Sequence, residues 1–215
     1  VSTLGMKNVL GGVALLLVNS RMVSGFGDGI MWLGSETVFQ TEKFPGFPVS
    51  FILVIIIYIL MHILLSKTTL GRSIYTVGGN PEAARLSGIN TPNVLTFCYT
   101  LSGFMAALAG IVLIGRGGIA NGANAIQPYD TEAIAACIIG GASFMGGKGT
   151  MLGTLIGVMI ITVLKNGLTL MAASSAIQNV VIGLVIILAV LIDVMRNRLE
   201  AQRKRQATQA RVDAK

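Results

Sequence analysis

Residues 49–66 read VSFILVIIIYILMHILLS, eighteen positions with one histidine and no formal charge. A run of about 18 or more apolar residues marks a helix able to cross the ~30 Å hydrocarbon core of a bilayer. No water is available there to bond backbone amides, so a crossing segment must satisfy them within a helix or a closed barrel. The rest of the chain agrees with this segment. Of 215 residues, 53% are hydrophobic and only 12% are charged, against about 25% charged in soluble domains. Mean hydropathy is +0.76. These values exclude an ordinary soluble enzyme, a disordered chain and a disulfide-stapled secreted module.

Six apolar segments follow from the same test, at about 4–18, 49–66, 94–114, 132–146, 150–165 and 177–194. The expected fold class is all-α: a polytopic transmembrane helix bundle of about six spans, some of them short or interrupted. Apart from 49–66, the segments are rich in Gly, Ala, Ser and Thr. Lipid supplies little hydrophobic drive between helices, so small residues that let backbones approach favour association. Gly103-x-x-x-Ala107, Ala106-x-x-x-Gly110 and Gly153-x-x-x-Gly157 offer such faces, and predict helices packed on one another. Segments 132–146 and 150–165 would reach only about 22 and 24 Å, at about 1.5 Å per residue. Gly-Gly pairs at 140–141 and 146–147 suggest interruption, and short glycine-broken spans often line a transport pathway. Thin, tilted helices in a larger bundle fit the same lengths.

Basic residues set the expected orientation, because Lys and Arg favour cytoplasmic loops. Arg196, Arg198, Arg203, Lys204, Arg205, Arg211 and Lys215 put the C-terminus in the cytoplasm, with 1–194 the transmembrane domain and 195–215 a basic tail. Alternation then adds Lys67, Arg72, Arg85 and Lys148 to that side, against Glu82, Asp193, Glu200 and Asp213. The outer loops hold Arg21, Lys43, Arg116 and Lys165 with Asp28, Glu36, Glu42, Asp130 and Glu132. The net +7 is therefore a topology signal more than a nucleic-acid footprint. The chain opens on Val1 without a charged leader, which predicts a piece of a longer protein with further spans before it. Cys98 and Cys137 lie in apolar stretches without CxxC spacing and are expected as buried free thiols.

The loop at 67–93 holds LGRSIYTVGGNPEAARLSGINTPNV at 70–94. Asn80 can accept the free N–H groups of a first helical turn, and Pro81 suits the first position, where no donor is needed. Glu82 favours the positive end of the dipole. Ala83, Ala84, Arg85 and Leu86 are strong helix formers, and Gly88 can close the C-terminus. The result is a helix of about two turns, too short to stand alone in water. Either it rests on its own protein or a partner receives it.

VGGNPEAARLSGI resembles the coupling segment of ABC-importer permeases of the ribose, xylose and galactoside family. The likeness continues through YDTEAIAACIIGGASFMGGKGT at 129–150, LIGVMIITVLKNGLTLM and VIILAVLID, and opens with TLGM at 3–6. It implies an inner-membrane transport subunit, multi-pass, with its C-terminus in the cytoplasm. The implied partners are an ABC ATPase subunit, an extracytoplasmic sugar-binding protein and a second permease copy or close paralogue. Asn80, Pro81, Glu82, Ala83, Ala84, Arg85, Leu86 and Gly88 would seat in the ATPase. Gly140, Gly141, Gly146 and Gly147 would form tight packing and a turn beside the pathway, with Lys148 facing the cytoplasm or the ATPase. Tyr129, Asp130 and Glu132 would lie at the outer mouth and meet the binding protein, although Asp130 and Glu132 equally suit a helix N-terminus. The implied cargo is a monosaccharide of ribose or pentose type. Nucleosides, furanone signals and branched-chain amino acids are the alternatives within related permeases.

GASFMGGKGT tests as a phosphate loop and fails. G-x-x-x-x-G-K-[ST] needs glycine at 142 and Ser or Thr at 149, where Ala142 and Gly149 stand. ATP and Mg are accordingly expected in the partner ATPase, with no cofactor and no catalysis in this chain. His62 has no ligand-type neighbour at helical spacing, so no metal site is expected. Lys165 is expected to snorkel near the outer interface. Trp32, Phe39, Phe44 and Phe47 suggest an interfacial belt, or contacts to the binding protein. The basic tail suits anionic membrane lipid, and no nucleic-acid fold is present. An ion-coupled carrier, the competing class, calls for intramembrane acidic groups, and none is expected within the spans.

Overall fold

The computed structural model describes residues 2–19, 21–38, 46–121 and 129–213. In chain order the elements are α1 (Ser2–Leu17), β1 (Met22–Ser24), α2 (Asp28–Ser35), β2 (Thr37–Val38), β3 (Phe47–Pro48) and α3 (Val49–Lys67). Then follow α4 (Thr69–Gly79), α5 (Pro81–Leu86), α6 (Thr91–Gly117), β4 (Ile119–Asn121), α7 (Tyr129–Ile139), α8 (Met151–Leu170) and α9 (Ser175–Asp213). The all-α expectation holds. Four helices among the described residues are long and apolar enough to cross a membrane: α3, α6, α8 and the Ser175–Met195 part of α9. Helix α1 is apolar but shorter.

The chain divides into two compact units. One holds residues to Leu64 and Asn90–Pro128. In it, α6 begins at Asn90, whose side chain accepts the Asn93 N–H at 3.2 Å, and ends on Gly118 in the left-handed region. Short helix α2 lies against the end of α6, where Ser35 Oγ donates to the Gly115 carbonyl at 2.6 Å. Strand β1 pairs antiparallel with β4, and β2 with β3. Neither pairing is expected from the sequence, and the first joins stretches almost a hundred residues apart. Trp32 is exposed on α2 and Phe47 stacks on Phe51; Phe39 and Phe44 lie outside the described residues.

The other unit holds Leu65–Ile89 and the chain from Tyr129 onward. Here α7 and α8 run antiparallel. Ala136 meets Gly157 and Gly140 meets Gly153, backbone on backbone. Ala135, Ala136 and Ile161 form the core, with Ile139 and Ile186 packed on it. Three expectations need correction. Segment 150–165 is a 20-residue helix, about 30 Å long and able to span. Segment 132–146 stops at Ile139, and its second half is a loop. Finally, α6 and α9 leave most of their apolar surface outward, including Phe104, Ile111, Leu184 and Leu188. The 195–213 stretch, expected as a tail, continues α9 as helix, as its Ala, Arg, Gln and Leu content favours. Cys98 and Cys137 are free thiols, half-buried.

Candidate functional site

The site is built around a corner. Helix α4 was not expected, because Gly71, Ser73, Thr76, Gly78 and Gly79 are poor helix formers. Its missed signal is Thr68, whose side chain accepts the Gly71 N–H at 3.1 Å, ahead of an apolar row that buries Val77. Asn80 then does two jobs. Its N–H donates to the Thr76 carbonyl to close α4, and its Oδ1 accepts from Glu82 and Ala83, both at 3.1 Å, to open α5. The two helices therefore meet without a spacer.

Helix α5 ends as its sequence predicts. The Ile89 N–H reaches back to the Ala84 carbonyl and the Gly88 N–H to that of Arg85, both at 3.0 Å. This paired closure needs a left-handed residue just past the helix, and Gly88 has φ +80°. Ala84 is fully buried, which holds α5 on its own protein. The opposite face is open: Glu82 and Arg85 approach to 3.7 Å on the surface, and Leu86 is 84% exposed. Predicted residues Asn80 to Leu86 and Gly88 thus form one capped element, with Ala84 inward and Glu82, Arg85 and Leu86 outward.

Gly140, Gly141, Gly146, Gly147 and Lys148 lie along the loop from α7 to α8. This loop follows helix α7 and leads into helix α8. The Ser143 N–H donates to the Lys148 carbonyl and the Gly146 N–H to that of Ser143, closing a tight turn. Gly146 and Gly147 have φ +92° and +73°. A Cβ on Gly147 would lie 2.6 Å from the Gly79 Cα, so loop and α4 touch through bare backbone. Tyr75 adds a hydroxyl that donates to the Gly149 carbonyl at 2.8 Å. Lys148 is exposed and borders a cavity of about 340 Å³, lined also by Ile139, Ser143, Ile160, Leu188 and Asp193.

Two charged positions depart from expectation. Asp193, placed only as a cytoplasmic charge, stands two residues before the end of the apolar part of α9 and is tied to the α7–α8 loop. Its carboxylate accepts the Phe144 N–H at 3.1 Å, with the Ser143 hydroxyl at 3.5 Å. Lys165 does not snorkel alone. Its Nζ donates to both Glu132 oxygens, at 2.8 and 3.0 Å, and the Glu132 side chain is only 16% exposed. Tyr129, Asp130 and Glu132 form the first turn of α7, with the acids at its N-terminal end as the dipole favours.

A family model described as branched-chain amino acid transport system / permease component matches residues 1–190. The chain belongs to that family. It is 39% identical over 193 residues to the ribose import permease protein RbsC of Bacillus subtilis, covering 90% of this chain and 58% of that protein. Against RbsC of Escherichia coli identity is 40% over 199 residues, 90% of this chain and 59% of the relative. The galactose/methyl galactoside import permease protein MglC of Escherichia coli is 36% identical over 199 residues, 91% and 58% of the two. The chain thus spans 58% to 59% of the length of these curated relatives. No solved structure matches it.

Proposed function

We propose that this chain is the membrane-spanning permease part of an ATP-binding-cassette importer for a monosaccharide of ribose or pentose type. The observation that carries this is the doubly capped α5, which presents Glu82, Arg85 and Leu86 outward. The names of the relatives, ribose and galactoside import permeases, support the cargo. On this reading an ABC ATPase receives α5 and holds ATP and Mg, an extracytoplasmic protein delivers the sugar, and a second permease copy completes the pathway. The chain itself carries out no catalysis. Its spans sit in the inner membrane, with residues 195–215 a basic cytoplasmic tail against anionic lipid.

A capped helix moves as a body, which suits transport by rocking of rigid elements around a central site. Two variants test the coupling role. Glu82→Pro removes the N–H that Asn80 Oδ1 accepts, and Arg85→Glu sets like charges three positions apart. Each is expected to insert normally yet abolish sugar-stimulated ATP hydrolysis and uptake in vesicles containing the ATPase and binding protein. Unchanged uptake by either variant overturns the role of α5. The family description names branched-chain amino acids, so leucine uptake in place of sugar uptake would move the cargo to that class.

A further inference from the structure

We propose that Asp193 is a positioning residue that latches the coupling corner to the helices α7, α8 and α9. This rests on the proposed role of α5. The chain of contacts has four links. Asp193 on α9 accepts the Phe144 N–H at 3.1 Å and the Ser143 hydroxyl at 3.5 Å. Residues 143–148 are closed on themselves by the Ser143 to Lys148 and Gly146 to Ser143 backbone bonds. Gly146 and Gly147 then meet Gly78 and Gly79 backbone to backbone, where a Cβ on Gly146 would lie 2.5 Å from the Gly78 carbonyl oxygen. The Tyr75 hydroxyl ties the far end of the loop to α4 at Gly149. Beyond Gly79 the chain enters α5 through Asn80 with no intervening residue.

Where Gly146 and Gly147 meet Gly78 and Gly79, the contact has no side chains to rearrange. A displacement of α5 therefore reaches the loop as a displacement of backbone, since close-packed contacts transmit strain instead of absorbing it. The loop needs an anchor on the far side, and Asp193 supplies one. A carboxylate on an otherwise apolar stretch of helix is costly unless its oxygens are satisfied. Asp193 is half-buried and a backbone N–H of the loop bonds its carboxylate, so seating the loop offsets part of the cost of placing the acid in α9. The side chains of Phe144 and Met145, consecutive within the anchored turn, are exposed.

The test uses the full-length permease with its ATPase and binding protein in nanodiscs. Asp193→Ala is expected to keep insertion, complex assembly and basal ATP hydrolysis, while sugar-stimulated hydrolysis falls by about 5-fold or more, in the range of coupling between distant sites. ATP consumed per sugar moved should rise with it. Asp193→Asn retains an oxygen that accepts the Phe144 N–H, and should recover most of the stimulation. Equal loss in both variants, or a wild-type coupling ratio in Asp193→Ala, overturns the latch. Amide exchange supplies a readout independent of transport. Asp193→Ala should speed exchange at Phe144 and also at Asn80, two links away. Unchanged exchange at Asn80 overturns the latch even if the transported substance is not a sugar. Absence of sugar uptake by the wild-type complex, in contrast, counts against the proposed function and leaves the exchange result to decide the latch.

Discussion

Helices α6 and α8 carry the same spacing of small residues and use it differently. On α6, Gly103 and Gly110 have nothing within 4 Å of where a Cβ would stand, and Ala106 and Ala107 are exposed. On α8, Gly153 and Gly157 lie so close to the α7 backbone that a Cβ on either would collide with it. The difference is the facing row. Glu132 and Ala136 on α7, with Gly140 just past its end, recur every four positions, opposite Gly153, Gly157, Ile161 and Lys165 at the same interval on α8. Two rows of matched spacing can interdigitate as ridge and groove, and the Glu132–Lys165 pair closes one end. Small residues permit approach; a complementary row turns permission into contact.

The largest effect is expected where that contact is tightest. Gly157→Leu drives a side chain into the Ala136 carbonyl, and no side chain is present to yield. Overpacking costs about 1–3 kcal/mol in cores that can shift, and this backbone contact lies at or above that range. Size-exclusion of the detergent-extracted protein should show loss of the monodisperse peak. A normal peak would mean that α7 and α8 separate readily, and the contrast with α6 would collapse.

A smaller effect tests the end of the row. Lys165→Met leaves the Glu132 carboxylate without its cation in a site only 16% exposed. Hydrogen bonds to charged groups contribute about 1.5–3 kcal/mol when one partner is removed, so the melting temperature should fall. Combining it with Glu132→Gln should restore part of the loss, because neither charge then remains buried and alone. A double variant as unstable as the single would show that this pair does not hold the two helices together.

The coupling corner was legible where the signal is local. Asn80, Pro81 and Gly88 specify the start and end of α5 through bonds within a few residues, and the helix falls where they place it. Residues 49–66 marked α3 to within a single residue, since nothing but apolar length decides it. What escaped was non-local. Helix α4 overrides its glycines because they are needed for contact with Gly146 and Gly147, sixty-odd positions along the chain. Lys165 looked like an interfacial charge because Glu132 precedes it by 33 residues. The shared interval of four could have paired them, had both segments been taken as one antiparallel couple. Asp193 was counted by charge alone, and its bond to Phe144 spans 49 residues.

The smallest effect falls on the unpartnered row. Gly103→Leu adds a side chain where nothing lies within 4 Å, on the face of α6 that also exposes Phe104. Substitutions away from packed features change stability by about 0.5 kcal/mol or less, and leucine also forms helix better than glycine by about 1 kcal/mol. The melting temperature of the extracted chain should therefore hold or rise slightly, while Gly157→Leu abolishes the folded peak under the same conditions. A fall in Gly103→Leu matching that of Gly157→Leu would give α6 a facing row of its own, and the two helices would then differ in partner and not in kind.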